Sequence, residues 1–307
     1  MEALQTLLNQ LNTRGIPCRT DVPLAPYTTF GIGGVGALVI EPQTEEQLVW
    51  ALRAVRERGV YLLVLGRGSN LLLPDEGIRG AIIRTAAVDA VTIDGHCLIA
   101  QGGATLTQIT RAAQKAGLSG LEFAYGIPGT LGGAVFMNAG AYGGEVSQVI
   151  TSVRLYDAER DETITMSGEQ MAFAYRHSIL QAHPAWTVLS ATMTLTPDDA
   201  AQIDARMQDY MARRREKQPL NYPSAGSVFK RPVGAFAGAL IERCGLKGHA
   251  VGGAVVSPKH AGFIVNTGGA TARDVLTLME EVRARVLEAH GVELESEIQI
   301  ITSHMAK

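Results

Sequence analysis

An α+β fold with more than one domain is predicted by three features of the sequence. Strand-like runs outnumber helical ones and do not alternate regularly with them, which argues against a doubly wound sheet. The 307 residues, 46% hydrophobic and 19% charged, suffice for two or three domains with substantial cores. A composition shift at Thr196-Pro197-Asp198-Asp199 then opens a long amphipathic helix and sets off the last third of the chain.

Hydrophobic spacing justifies the elements in turn. Leu4, Leu7, Leu8 and Leu11 recur at helical intervals over residues 3–12, with Gly15 beyond the end. Residues 37–40 read as a short strand. Thr44 and Gln47 form a candidate capping box, after which Leu48, Leu52 and Val55 line a helix that stops at Gly59. Residues 61–65 and 71–73 are apolar strands interrupted by Gly66-Arg67-Gly68-Ser69-Asn70. Strands over 81–84, 90–93 and 97–100 follow, the last two joined by a turn at Asp94-Gly95. A helix over 106–116 ends before Gly117, and strands are expected at 150–157, 162–166 and 187–195. The long helix reaches about Lys217 with Ile203, Met207, Tyr210 and Met211 on one face. Helices over 236–244 and 271–290 and strands over 262–265 and 292–301 complete the chain.

Glycine is the compositional outlier: 34 of 307 residues, 22 of them in the first 150 positions and 12 in the remaining 157. Such a one-sided surplus marks backbone that turns left-handed or approaches something closely. Residues 123–144 run for 22 positions without a charge, yet seven glycines, Pro128 and Asn138 make a poor spanning helix. The stretch reads instead as a buried, irregular segment wrapped round a ligand. A net charge of −3 gives no basic footprint for nucleic acid. Cys18, Cys97 and Cys244 are odd in number and far apart, and the seven histidines lack metal spacing. No metal, no membrane span, no signal peptide and a reducing cytoplasm are therefore expected.

Gly31-Ile32-Gly33-Gly34-Val35-Gly36 matches the dinucleotide fingerprint by letter, but a strand follows it where the fingerprint needs a helix, so it reads as a turn. Gly66-Arg67-Gly68-Ser69-Asn70 interrupts a strand region, and successive amides in such a turn form a concave anion site. Gly126-Ile127-Pro128-Gly129-Thr130-Leu131-Gly132-Gly133, followed by Asn138-Ala139-Gly140, lets backbone approach a flat ligand and its phosphates, or simply packs as a buried loop. Tyr175-Arg176 pairs a phenol with a guanidinium, Ser227 sits in a turn ahead of Lys230 and Arg231, and Glu297 lies on the polar side of a closing strand. By residue type alone these three read as a surface contact, a turn-capping serine and a solvated face.

The ordered set of motifs resembles the UDP-N-acetylenolpyruvoylglucosamine reductase family of bacterial peptidoglycan synthesis over nearly the whole chain. The resemblance begins at Tyr27-Thr28-Thr29-Phe30-Gly31 and runs through Gly66-Arg67-Gly68-Ser69-Asn70-Leu71 and residues 126–143. It continues through Tyr175-Arg176-His177-Ser178, Ala225-Gly226-Ser227-Val228-Phe229-Lys230, His260-Ala261-Gly262-Phe263 and Leu294-Glu295-Ser296-Glu297. It implies an FAD-binding module of the vanillyl-alcohol-oxidase type with two subdomains, residues 1–84 and 85–196. A C-terminal α/β substrate domain would occupy residues 197–307. Gly66, Arg67, Gly68, Ser69, Asn70 and Leu71, with Gly126, Ile127, Pro128, Gly129, Thr130, Gly132, Gly133, Asn138, Ala139 and Gly140, would hold FAD.

The resemblance further implies that NADPH reduces the flavin and that hydride then passes to the methylene carbon of UDP-N-acetylglucosamine-enolpyruvate, giving UDP-N-acetylmuramate. Arg176 would polarise the carboxylate, Glu297 would assist it, and Ser227 would protonate the enolate carbon, with Tyr175, Lys217 and Lys230 contacting substrate. Leu180 and Arg231 depart from residues common in the family, and the chain resembles the shorter form that lacks a tyrosine-bearing loop. A monomer acting on a small molecule is expected. Another FAD-dependent oxidase on the same module and a non-catalytic nucleotide-sugar-binding regulator are the alternatives, and a colourless protein would mark the second.

Overall fold

The computed structural model describes residues 2–303. Its helices are α1 (Glu2–Thr13), α2 (Glu45–Glu57), α3 (Leu106–Lys115), α4 (Leu131–Met137), α5 (Ala200–Lys217), α6 (Ala237–Arg243) and α7 (Ala272–His290). The chain divides into two units, neither contiguous in sequence. The chain up to Thr20, Leu38–Gly66 and Gly80–Arg214 form the first, while Asp21–Ala37, Arg67–Arg79 and the chain from Arg215 form the second.

Two cores fill the first unit. In one, Leu7 and Leu11 of α1 and Leu48, Leu52 and Val55 of α2 pack on Leu38, Ile40, Ala81 and Ile83. The strands belong to a sheet ordered Cys18–Pro23, Val35–Ile40, Ile78–Arg84, Leu62–Leu65, with the last pair parallel. Thr44 Oγ1 accepts the Gln47 amide at 3.2 Å as its spacing predicts, but Gln47 Oε1 returns to the amide of Gln43, so the box is half made. The other core lies on an antiparallel sheet ordered Glu162–Ser167, Ile150–Asp157, Trp186–Thr194, Cys97–Gln101, Val91–Asp94. Leu106, Ile109 and Ala113 of α3 face it beneath a complete Thr105–Gln108 capping box.

The second unit has one core. Leu240 and Ile241 of α6 and Val275, Leu278, Met279, Val282 and Val286 of α7 pack with Ala254, Val256, Ile264, Phe30, Ile32 and Leu72. Its antiparallel sheet is ordered Ala250–Val251, Ala254–Val256, Ile264–Asn266. Leu71–Leu72 pairs in parallel with Gln299–Ile300.

Three expectations change and one holds. The uncharged stretch is not irregular throughout: α4 forms inside it, burying Leu131, Ala134, Val135 and Met137 and closing on Asn138 at φ +43°. The closing strand shrinks to Gln299–Ile300, because residue 296 meets a partner only at the single bridge to Phe229. The expected break at Thr196–Asp199 falls inside the first unit, which runs on to Arg214. Ile203 and Met207 of α5 are buried, and its Arg206 reaches Glu122 Oε1 at 2.7 Å, which fastens the helix to that unit. Finally, Gly31–Gly36 does feed a strand, Val35–Ile40, as its context predicts. No described helix is long and apolar enough to cross a membrane.

Candidate active site

Two glycine turns supply backbone donors. In the second unit, residues 67–70 turn into Leu71–Leu72, with Gly68 at φ +58°. A Cβ on Gly68 would stand 2.4 Å from the Tyr27 carbonyl oxygen, while the Gly68 carbonyl accepts the Thr29 amide at 3.2 Å. The successive amides of Arg67, Gly68, Ser69 and Asn70 find no acceptor among the described residues. Four adjacent free N–H groups in a left-handed turn form a nest for an anion such as a diphosphate. Thr29, which fastens this turn, is missing from the residues that sequence reasoning selected. Its only signal is membership of the first family motif.

Gly66 ends the preceding strand in the first unit, and a Cβ there would stand 2.3 Å from Thr130 Oγ1, so a larger residue would displace the Thr130 side chain. The amides of Leu131 and Gly132 are spent on the carbonyls of Ala104 and Gly102, both at 2.8 Å, which hangs α4 on the turn before α3. The amides of Gly129, Thr130 and Gly133 have no acceptor among the described residues, and a Cβ on Gly133 would meet only Thr130 Oγ1, at 3.9 Å. This surface is open, polar and free of side chains, which fits a dinucleotide cofactor lying against it. Pro128 is exposed beside it, and Ile127 packs inward on the core.

Asn138 plays a different part from the one its motif suggests. Its Nδ2 donates to Glu145 Oε2 at 2.9 Å and to the Ala174 carbonyl at 3.0 Å, and its Oδ1 accepts the Ser147 amide at 3.1 Å. The side chain is thus engaged inside the protein, and its second bond pins the turn in which Ala174 bridges His177. That turn carries Arg176 at φ +53°, with its guanidinium 4.9 Å over the exposed Tyr175 ring and its Nη2 donating to the Gly140 carbonyl at 3.2 Å. Asn138, Gly140, Tyr175 and Arg176 are therefore brought together in the first unit. Ala139 adds backbone there, its carbonyl accepting the Val146 amide at 3.0 Å. A half-buried arginine held by a backbone carbonyl and an aromatic ring is suited to a carboxylate.

Ser227 and Glu297 come together in the second unit. Ser227 bridges Phe263, the Val228 amide donates to the Gly262 carbonyl at 2.9 Å, and the Val228 carbonyl accepts the Glu297 amide at 2.8 Å. Phe229 bridges Ser296, and the Lys230 amide donates to the Glu295 carbonyl. Asn70 Nδ2 donates to the Glu297 carbonyl at 3.1 Å, while the Gln299 amide donates to the Asn70 carbonyl at 2.8 Å. One ladder thus joins the glycine nest, Glu297 and Ser227. Strand alternation predicts a solvated face for Glu297; half-burial replaces it, while Leu294 and Ile298 are buried on the other side. Lys230 Nζ lies 3.3 Å from Glu295 Oε2, and Lys217 is exposed at the end of α5. No cluster of metal-ligating side chains occurs among the described residues.

A family model for the UDP-N-acetylenolpyruvoylglucosamine reductase C-terminal domain matches residues 218–301, and one for an FAD binding domain matches residues 36–167. A UDP-N-acetylenolpyruvoylglucosamine reductase of Caldanaerobacter subterraneus subsp. tengcongensis is 45% identical over 279 residues, 91% of this chain and 92% of that relative. The corresponding protein of Latilactobacillus sakei subsp. sakei is 44% identical over 300 residues, covering 96% and 98%. The crystal structure of UDP-N-acetylenolpyruvylglucosamine reductase from Thermus caldophilus superposes with a TM-score of 0.77 at 34% identity, covering 93% of this chain and 98% of that one.

Proposed function

Because the chain belongs to the UDP-N-acetylenolpyruvoylglucosamine reductase family, we propose that it reduces UDP-N-acetylglucosamine-enolpyruvate to UDP-N-acetylmuramate through Arg176, Glu297 and Ser227. When bound, FAD would supply the two-electron hydride chemistry that links NADPH to the enolpyruvyl ether. The nest at residues 67–70 would offer its amides to FAD phosphates, and Gly129, Thr130 and Gly133 would offer theirs to the same cofactor.

Arg176 binds the substrate carboxylate and stabilises the negative charge that spreads into it as the double bond is reduced. Glu297 acts as a hydrogen-bonding acid on the developing enolate. Ser227 Oγ–H gives its proton to the enolate carbon. A serine is a weak acid in water, but an enolate is a strong base, so transfer over a fixed short path is favourable. Tyr175, Lys217 and Lys230 contact the rest of the nucleotide sugar. Three thiols outside any disulfide suit a reducing cytoplasm as the place of action.

The observation that carries this reading is the 2.8 Å bond from the Glu297 amide to the Val228 carbonyl. It places Ser227 and Glu297 on neighbouring segments of one ladder that also includes the nest. Ser227→Ala is the test. Flavin reduction by NADPH stays at the wild-type rate, while flavin reoxidation by substrate slows on the order of 10²–10⁴-fold. Reoxidation at the wild-type rate would remove Ser227 from the mechanism.

A further inference from the structure

His260 stands apart from the residues used so far. Its imidazole occupies a slot that two glycines leave open: a Cβ on Gly238 of α6 would lie 3.3 Å from His260 Cε1, and one on Gly262 would lie 3.0 Å from the same atom. The ring meets the buried Phe263 edge-on, with centroids 5.0 Å apart and planes at 71°. Its Nδ1 accepts the Gly262 amide at 3.1 Å. The surrounding turn is closed by further bonds. The buried Ser257 Oγ accepts the His260 amide, the Ser257 amide donates to the Phe263 carbonyl, and the Phe263 amide donates to the His260 carbonyl.

Gly262 is therefore held from both sides. Its amide ends on His260, and its carbonyl receives the Val228 amide at 2.9 Å. Val228 directly follows Ser227, which itself bridges Phe263. We propose that His260 is the positioning residue of Ser227: its neutral imidazole fixes the Gly262 peptide from which the Ser227–Val228 strand hangs, and so fixes the hydroxyl that delivers the proton. The inference rests on Ser227 being the proton donor.

A protonated imidazole carries N–H at both nitrogens and no longer accepts from Gly262. Burial pushes the His260 ring below the ordinary histidine range, with its own backbone bond opposing this, which keeps Nδ1 an acceptor at neutral pH. The charged groups facing the ring are Lys247 and Glu242, paired with each other at 2.6 Å. The device therefore works at neutral pH and fails in acid, below the ordinary value of 6.5.

Two variants of the full holoenzyme separate the acceptor from the bulk. His260→Phe fills the slot without an acceptor, and His260→Asn offers an amide oxygen near the position of Nδ1 without titrating. In single-turnover experiments the Phe variant is reduced by NADPH at the wild-type rate but reoxidised by substrate about tenfold more slowly, the effect of one lost hydrogen bond at the reacting geometry. The Asn variant recovers to within about threefold of wild type and loses the acid limb of the reoxidation profile. Amide exchange at Gly262 and Val228 accelerates in the Phe variant, a readout independent of turnover. A Phe variant with wild-type reoxidation, equal losses in both half-reactions, or a change in substrate affinity alone overturns the inference. Ser227→Ala, run in parallel, separates the two readings. If it leaves reoxidation unchanged, the proton-donor assignment fails. If it slows reoxidation while His260→Phe does not, the positioning role alone fails.

Discussion

Asn70 does two jobs with one peptide and one amide. Its backbone closes the nest, and its side chain holds the carbonyl of Glu297, so the glycine nest and Glu297 share a fastening. Asn70→Ala removes that side-chain bond and leaves the nest backbone in place. It is expected to slow substrate-driven reoxidation by about tenfold, with a smaller effect on reduction by NADPH; equal effects on both half-reactions would argue against the link. Gly66→Ala tests the proposed cofactor surface. The added methyl overlaps Thr130 Oγ1 and displaces the segment that offers free amides, so purified protein should carry less flavin, as its visible absorbance would report. At this scale the sequence was least legible from residue types. Ser227 and Glu297 read as a turn and a solvated face, because a lone hydroxyl and a lone carboxylate have no pattern until a ladder sets them side by side. Only the ordered family motifs singled them out, and His260 was one of seven scattered histidines.

Helices and strands were far more legible, since hydrophobic period and caps are local. α2, α3, α5 and α7 begin within a residue or so of their expected starts, and α3 and α7 carry complete capping boxes. α4 escaped notice because two of its seven residues are glycine and its helical face is short; packing on the core decides it. The fastening of α5 was equally hidden. Arg206 reaches Glu122, Ser119 and Asp198 together, and no spacing rule links those positions. Burial acts to raise the Glu122 carboxyl, but the Arg206 guanidinium, backbone amides including that of Gly120, and the Ser119 hydroxyl hold it below its ordinary value. A carboxyl depressed in the fold stabilises it fully above the unfolded value of about 4.5 and loses that contribution as pH falls through the folded value. Arg206→Ala leaves the carboxylate largely buried without its cation, so unfolding in denaturant at pH 7 should be easier by about 1–3 kcal/mol. That deficit should shrink as pH falls below the ordinary value of 4.5 and on through the folded one, and a deficit independent of pH would contradict the coupling.

Across the whole chain, the α+β class and the cofactor module were readable, but the partition was not. The chain leaves and re-enters each unit, taking residues 21–37 and 67–79 into the second, and such returns depend on long-range packing that local patterns do not encode. The glycine surplus of the first half takes its meaning here: Gly66 and the turn at residues 126–133 serve the first unit, while Gly68 serves the nest in the second. The proposed function asks for free amides toward a cofactor, and for an arginine, an acid and a hydroxyl toward a carboxylate-bearing enol ether. The most direct test is anaerobic rapid mixing of NADPH-reduced protein with UDP-N-acetylglucosamine-enolpyruvate, followed by flavin absorbance. The account predicts full reoxidation of the flavin with one UDP-N-acetylmuramate formed per flavin; a flavin that stays reduced until oxygen is admitted would contradict it.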